Sequence, residues 1–261
     1  MSIIYETEKS VEKSFDENFI PEEQLQTQWA EFIELKKIIT ELSAINQMPV
    51  SILDIGVGDA RVVKHLCGIP EIWHCISSYH GIDNAEACLA ISNKVITGLN
   101  IQDKAKVSFL EAHHLNTLTE KYDMVITTWF TAGNFYPEDF SFETYKESAV
   151  KLDLTSNEKF EKIFGDAYNL LNPGGEIVLG ACYIDNDTTR KKQEAFYKKL
   201  GMTVITDEQD TFTATKEKFW SQRFTKEKLQ TYFSFVAPEK IICTPLDTYD
   251  FAMQVRIKNK G

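Results

Sequence analysis

The sequence predicts an α/β domain with a doubly wound, mostly parallel sheet of seven strands. Short apolar segments alternate with segments of helical periodicity along most of the chain, a pattern typical of parallel sheets covered by helices on both faces. Near the end, the apolar segments 240–247 and 249–258 follow each other directly, which predicts an antiparallel pair at one sheet edge. No repeat or linker interrupts the 261 residues, so we expect a single domain over 1–261.

The first half of the chain predicts three strands and two intervening helices behind an N-terminal helical segment, 1–47. Residues 22–45 place apolar side chains near helical spacing, which indicates a long helix. Strands are predicted at 50–56, 79–83 and 106–112, with helices starting near Asp59 and covering 84–99. The stretch "CGIPEIWHCISSY", 67–79, is interpreted as an extension before the second strand.

The second half predicts the remaining strands and an insertion. A strand at 122–129 precedes a helix at 157–171, which we expect the turn "NPGG" to close before a buried strand at 176–184. Thr225 is the predicted N-cap of the last helix. The intervening segment, about 184–224, predicts a helix and two strands, 202–206 and 211–215, and we expect it to form a cap over the site.

Composition and charge exclude several classes of function. The formal net charge of −11 disfavours nucleic acid as the main partner. No apolar run approaches the roughly 20 residues of a membrane helix, and the N-terminus lacks a secretory pattern, so we expect a cytoplasmic protein without membrane contact. The five cysteines are scattered, and Cys67, His74, Cys75 and His80 match no known ligand spacing, so neither disulfides nor a metal are expected.

The stretch "ILDIGVGDAR", 52–61, indicates a ligand site at the end of the first strand. Asp54 interrupts an apolar run, and Gly56 and Gly58 would let a ligand approach the backbone closely. A dinucleotide fingerprint counted from Gly56 requires a small residue where the chain has Arg61. A carboxylate before the loop suits a cationic ligand better than a phosphate.

Polar groups at the predicted ends of later strands strengthen this hypothesis. Asp83, Glu111 and Thr127 stand at or near the ends of the second, third and fourth strands. Because the carboxyl ends of parallel strands meet at one edge of a sheet, we expect these groups to surround one ligand.

Four segments resemble motifs of the class I S-adenosylmethionine-dependent methyltransferases: "LDIGVGDAR", "GID", "LNPGGEIVL" and "YDFAMQVRI". The resemblance covers about 48–258. It departs at Ala60, which replaces the third glycine, and in the 29 residues from Asp54 to Asp83, which exceed the usual interval of about 20. The resemblance implies S-adenosyl-L-methionine as cofactor. The residues that it implies for cofactor binding are Asp54, Gly56, Gly58, Asp83, Asn84, Glu111, Ala112 and Thr127.

The acceptor is expected over the loop after the fourth strand, 127–140. Its aromatic and carboxylate side chains suit a flat or cationic amine. The predicted acceptor-binding residues are Trp129, Phe130, Asn134, Phe135 and Tyr136. Tyr136 and His113 are candidate catalytic residues, although His113 can equally line the adenine side. The loop lacks the motif that the family uses to methylate nucleic-acid bases.

The leading hypothesis is therefore a methyltransferase that acts on nitrogen or oxygen of a small molecule. Two alternatives remain at this point: a protein or peptide methyltransferase, and a non-catalytic regulatory protein that binds S-adenosylmethionine. The acceptor, its reacting atom and the oligomeric state are left open.

Overall fold

A computed structural model describes residues 2–148, 151–246 and 250–259. Positions 247–249, at the inner ends of the two predicted terminal strands, lie outside the described residues. Along the chain the strands are β1 (Val50–Ile55), β2 (Ile76–Asp83), β3 (Ala105–Phe109), β4 (Tyr122–Thr127), β5 (Leu171–Tyr183), β6 (Phe212–Ala214), β7 (Trp220–Gln222), β8 (Ile241–Pro245) and β9 (Ala252–Lys258).

The predicted fold class is confirmed. Seven strands form one sheet in the order β3-β2-β1-β4-β5-β9-β8, and β6 and β7 form a separate antiparallel pair. The first five strands of the large sheet run parallel, whereas β9 runs antiparallel to both β5 and β8. Strand order reverses between β1 and β4, so a crevice opens beyond the carboxyl ends of these two strands.

The helices cover both faces of the sheet. They are α1 (Glu8–Ser14), α2 (Glu22–Asn46), α3 (Arg61–Cys67), α4 (Pro70–His74), α5 (Glu86–Gly98), α6 (Glu158–Asn169), α7 (Asp187–Lys199) and α8 (Lys226–Tyr232). Apolar side chains of α2, α3 and α5 form a core on one face, and those of α6 and α8 form a core on the other. As predicted, Thr225 caps α8, where its side chain accepts a hydrogen bond from the Lys228 amide. No described helix has the length and apolarity needed to cross a bilayer.

Two local predictions were wrong in detail. The "NPGG" segment lies within β5, where the paired register jumps from Leu171 to Glu176 while β4 advances only from Tyr122 to Met124. The extra residues bulge out of the ladder, which the left-handed φ of 78° at Gly174 permits. In the insertion, β6 pairs with β7, and 202–206 contributes only a single bridge from Val204 to Thr215.

The extension before the second strand contains α4 and an early start of β2 at Ile76, which is buried beside β1. Asp83 still ends this strand, so the extra residues lengthen the connection without moving the strand end away from the site.

Candidate functional site

A cavity of about 440 Å³ lies beyond the carboxyl ends of the first four strands. Its floor comes from the segments that follow these strands, whereas residues from two distant parts of the chain close over it. Ser2, Tyr5 and Phe15 come from the N-terminal segment, and Lys218, Phe219 and Trp220 come from the β6–β7 hairpin. Ser2 Oγ donates a hydrogen bond of 3.1 Å to the Glu217 carbonyl, which joins the two covers.

Most of the predicted site residues meet at this cavity. Those that line it are Gly56, Gly58, Asp83, Asn84, Glu111, Ala112, His113, Trp129, Asn134, Phe135 and Tyr136. Asp54, Thr127 and Phe130 do not line it. The reasoning from strand ends therefore located the cavity but did not tell which side chains at those ends face it.

Asp54 is fully buried in β1 and accepts a hydrogen bond from the Tyr79 hydroxyl of β2. Its other oxygen, Oδ1, has no hydrogen-bond partner within the described ranges. Burial raises the pKa of this carboxyl to about 7, against the opposing effect of the Tyr79 hydrogen bond. Asp54 thus contacts the neighbouring strand and does not line the cavity, and its expected contact with the ligand stays a prediction.

Thr127 and Phe130 also do not line this cavity, although Phe130 lines a small pocket beside it. Thr127 is buried in the last position of β4. The Phe130 ring stacks on Tyr183, with centroids 3.7 Å apart and planes 6° from parallel. Trp129 and Phe130 both adopt left-handed φ values, 51° and 64°, which non-glycine residues rarely do. This turn leaves Trp129 at the cavity while Phe130 packs against β5.

The glycine loop follows β1 in a conformation that requires glycine. Gly56 and Gly58 have φ values of 80° and 56°. A Cβ atom on Gly56 would lie 2.6 Å from Thr131 Cγ2, and one on Gly58 would lie 3.2 Å from Phe15. The loop is therefore packed between the segment after β4 and the N-terminal cover. Ala60, at the third glycine position, is itself left-handed, with φ of 61°.

Asp83 faces the cavity with its carboxylate held by backbone amides. Gly58 donates to Oδ2 at 3.0 Å, and Ala85 donates to Oδ1 at 2.9 Å. Burial raises its pKa, and these hydrogen bonds oppose that shift. Each oxygen retains a lone pair for a further donor. The carboxylate can thus accept hydrogen bonds from two hydroxyls of a ligand.

Glu111, His113 and His114 form a polar cluster after β3. His113 Nδ1 lies 3.2 Å from Glu111 Oε2, and the candidate ligand atoms of all three residues lie within 4.8 Å of one another. Over the described ranges this is the group whose geometry would admit a metal ion, whereas Cys67, His74, Cys75 and His80 form no such group. Glu111 and His113 also provide hydrogen-bonding groups at the cavity wall, so the geometry of the cluster does not by itself indicate a metal. That the protein binds no metal stays a prediction.

Arg61, which the sequence left without a role, lies between the floor and the N-terminal cover. Its guanidinium carbon is 4.3 Å from the Phe15 ring centroid and 5.0 Å from that of Trp129. Its Nε and Nη2 contact the two carboxylate oxygens of Asp59 at 3.0 and 3.3 Å. With Lys159 and Lys218 it gives the cavity wall a cationic component.

Glu31 of α2 supports the Trp129 turn and was missed by sequence reasoning. It is 1% exposed, and the Trp129 amide donates to its two oxygens at 3.0 and 3.3 Å. Burial raises its pKa to about 8. A Cβ on Gly180 of β5 would clash with the Glu31 carboxyl, so glycine at this position makes room for it.

A signal for this support was present in the sequence. Gln24, Thr27, Gln28 and Glu31 follow the i, i+3, i+4, i+7 spacing of one helix face, and all four are buried. When a helix that otherwise buries apolar side chains has polar residues at buried positions, this pattern indicates that the helix packs against polar groups there. By contrast, no local pattern placed Tyr5, Phe15 or Lys218 at the cavity.

No protein-family model matches the sequence, and comparison with curated proteins gave no significant match. Comparison with solved structures gave many matches. An S-adenosylmethionine-dependent methyltransferase from Clostridium acetobutylicum has a TM-score of 0.56 and 12% identity, with 97% of this chain and 98% of that chain covered. CalS10, an amino pentose methyltransferase from Micromonospora echinaspora solved with S-adenosylmethionine bound, has a TM-score of 0.52 and 12% identity, with 88% and 92% covered.

An O-methyltransferase family protein from Burkholderia thailandensis has a TM-score of 0.55 and 9% identity. The match covers 87% of this chain but 56% of that protein, so the chain spans little more than half of that relative's length. At these identities the comparisons establish the fold alone. The sheet order, the terminal antiparallel pair and these likenesses agree that the chain has the class I methyltransferase fold.

Proposed function

We propose that the protein is an S-adenosylmethionine-dependent methyltransferase that acts on nitrogen or oxygen of a small-molecule acceptor. The fold supports the cofactor, and the enclosure of the cavity supports the size of the acceptor. The observation that carries the proposal is the covered state of the aromatic loop after β4. None of the side chains Trp129, Phe130, Phe135 and Tyr136 is exposed. Phe130 stacks on Tyr183 and Phe135 packs on Phe164, whereas Trp129 and Tyr136 line the cavity together with residues of the N-terminal segment and the β6–β7 hairpin.

The residues that line the cavity fit the proposed cofactor. Asp83 retains lone pairs that accept hydrogen bonds from ribose hydroxyls, a task that suits an ionised acceptor. Glu111 and the backbone at Ala112 are assigned to the adenine edge. Arg61 is the cationic group nearest the glycine loop in sequence and is assigned to the carboxylate of the methionyl end.

When bound, S-adenosylmethionine supplies an electrophilic methyl group on a sulfonium that leaves as a neutral thioether. The contribution of the protein is then alignment of the acceptor and exclusion of water. Trp129, Phe135 and Tyr136 provide walls that orient a flat or cationic acceptor. His113 and Tyr136 are the cavity-lining groups assigned to accept a proton when the acceptor must lose one.

A labelling experiment distinguishes this proposal from the two alternatives. The protein is incubated with a cell extract and S-adenosylmethionine carrying a deuterated methyl group, and the extract is then separated by molecular mass. We expect a labelled compound of low molecular mass that differs from the cofactor and that does not form when the protein is omitted. Label confined to proteins would favour the peptide methyltransferase, and binding of the cofactor without any transfer would favour the regulatory protein.

Two substitutions test the assignment of the acceptor wall. Trp129→Ala and Tyr136→Ala should lower label transfer at least ten-fold while the affinity for S-adenosylhomocysteine, measured by calorimetry, stays within a few fold. Trp29→Ala is the matched control, since Trp29 is 55% exposed and does not line the cavity. If cofactor affinity and melting temperature fell together in both variants, these rings would serve packing rather than acceptor binding.

A further inference from the structure

A small side pocket of about 50 Å³ adjoins the main cavity. The two share Tyr5, Phe15, Trp129, Asn134 and Phe219, so the pocket opens on the side of the aromatic loop rather than on the side of Asp83 and Glu111. Its size admits a group of about three or four heavy atoms. Neither the fold nor the proposed cofactor accounts for this space.

A buried, unpaired acceptor lies in the wall of the side pocket. Gln24 of α2 is 1% exposed, and its Nε2 donates to the Tyr183 hydroxyl at 3.3 Å. This bond fixes the orientation of the amide and leaves Oε1 as the free acceptor, without a hydrogen-bond partner within the described ranges. Oδ1 of Asn134, where the two cavities meet, is likewise unpaired there. Buried acceptors of this kind are normally hydrogen-bonded, so we expect a group bound in the pocket to donate hydrogen bonds to them.

The other residues of the wall indicate which kind of hydrogen-bond donor the side pocket would bind. It is formed mainly by aromatic rings, among them Tyr5, Phe15, Trp129, Tyr183 and Phe219. Within the described ranges its lining includes no acidic or basic side chain. Arg61, which does not line the pocket, contacts the rings of Phe15 and Trp129, whereas no cation contact is described for the rings of Tyr5, Tyr183 and Phe219. Aromatic faces attract a cation, and amide oxygens accept hydrogen bonds from an ammonium group.

We infer that the side pocket binds an ammonium group of the acceptor, an inference that rests on the proposed function. A protonated nitrogen has no lone pair with which to attack a methyl group. The ammonium group is therefore an anchor, and the nitrogen or oxygen that is methylated is a second group of the same molecule, in the main cavity. The substrate class is thus a small amine that carries a separate nucleophile.

The test uses ethylammonium as the probe and ethanol as its uncharged counterpart of equal size. Each is titrated against the full-length protein with and without saturating S-adenosylhomocysteine, and binding is followed by ligand-observed NMR. We expect ethylammonium to bind in the millimolar range and ethanol at least ten-fold more weakly. Equal affinity of the two probes, or no binding of ethylammonium, would overturn the inference.

Two variants locate the binding. Gln24→Leu and Phe219→Leu should each weaken ethylammonium binding at least five-fold. Gln28→Leu is the matched control: Gln28 is a buried glutamine one turn further along α2 that lines neither cavity, and this variant should bind as the wild type does. Unchanged affinity in both test variants would place the cation elsewhere and refute the inference. The wild-type comparison of the two probes decides the matter even if a variant fails to fold.

The proposed function and the inference about the side pocket can be refuted independently of each other. If the inference about the side pocket is wrong, S-adenosylhomocysteine should still bind in the main cavity. Failure of S-adenosylhomocysteine to bind would remove the proposed function, whereas the ethylammonium titration without it still reports on the side pocket.

Discussion

Replacing Glu31 with glutamine should change how the stability of the protein depends on pH. Burial raises the pKa of this carboxyl from its ordinary value of 4.5 to about 8. A carboxyl whose pKa is higher in the folded state stabilises the fold fully only below its unfolded pKa, and this contribution is lost as the pH rises towards 8. Between pH 5 and pH 8, the loss from this one group amounts to roughly 3–4 kcal/mol.

Glu31→Gln retains an oxygen for the Trp129 amide but has no proton to lose. Relative to the wild type, the variant should therefore gain roughly 3–4 kcal/mol in free energy of unfolding between pH 5 and pH 8. Urea denaturation at half-unit pH steps measures this difference, in which the contributions of groups that do not interact with Glu31 cancel. Glu34→Gln, on the same helix and paired with Lys37 at the surface, is the control.

A difference between Glu31→Gln and wild type that stays constant from pH 5 to pH 8 would refute this reasoning. It would mean that Glu31 is ionised in the folded protein over this range, and that its contact with the Trp129 amide is a charged hydrogen bond. A difference that changes by the expected amount in Glu34→Gln as well would show that burial of Glu31 is not the cause.

Three further predictions concern the glycine loop and its neighbours. Asp83→Ala should weaken binding of S-adenosylhomocysteine by about 1.5–3 kcal/mol in calorimetry; near-wild-type affinity would remove Asp83 from the site. Gly56→Val should abolish that binding, because its Cβ would lie 2.6 Å from Thr131 in a left-handed backbone, and wild-type affinity would show that the loop tolerates a side chain. Tyr79→Phe should cost about 1–3 kcal/mol of stability in urea unfolding, since it leaves both oxygens of the buried Asp54 without a donor; an unchanged midpoint would show that Asp54 has found another partner.

The fold was predictable because it depends on patterns that repeat along the chain. Apolar strands alternating with amphipathic helices specify the layers, and the change of pattern after α8 specified the antiparallel pair. The edge of the sheet that carries the site followed from the same pattern, since Gly56, Asp83 and Glu111 end or follow consecutive parallel strands.

The orientation of individual side chains was not predictable in this way. Asp54 and Asp83 both stand near strand ends, yet one bonds to Tyr79 in the interior and the other faces the cavity. The left-handed turn at Trp129 and Phe130 contains no glycine, so the sequence gives no indication of it. Its amide is held by Glu31, almost a hundred residues earlier, and such support is visible only after the chain has folded.

The cover formed by the two distant segments has a kinetic consequence. Under the proposed function, product that leaves between the N-terminal segment and the hairpin would have to displace them, and this step would add to the time that release takes. At its rim the N-terminal segment is held by exposed ionic contacts such as Lys94 with Glu8, each worth at most about 1 kcal/mol and weakened by salt. Raised ionic strength should therefore weaken this attachment of the N-terminal segment, whereas it should leave the buried contacts of the cover unchanged.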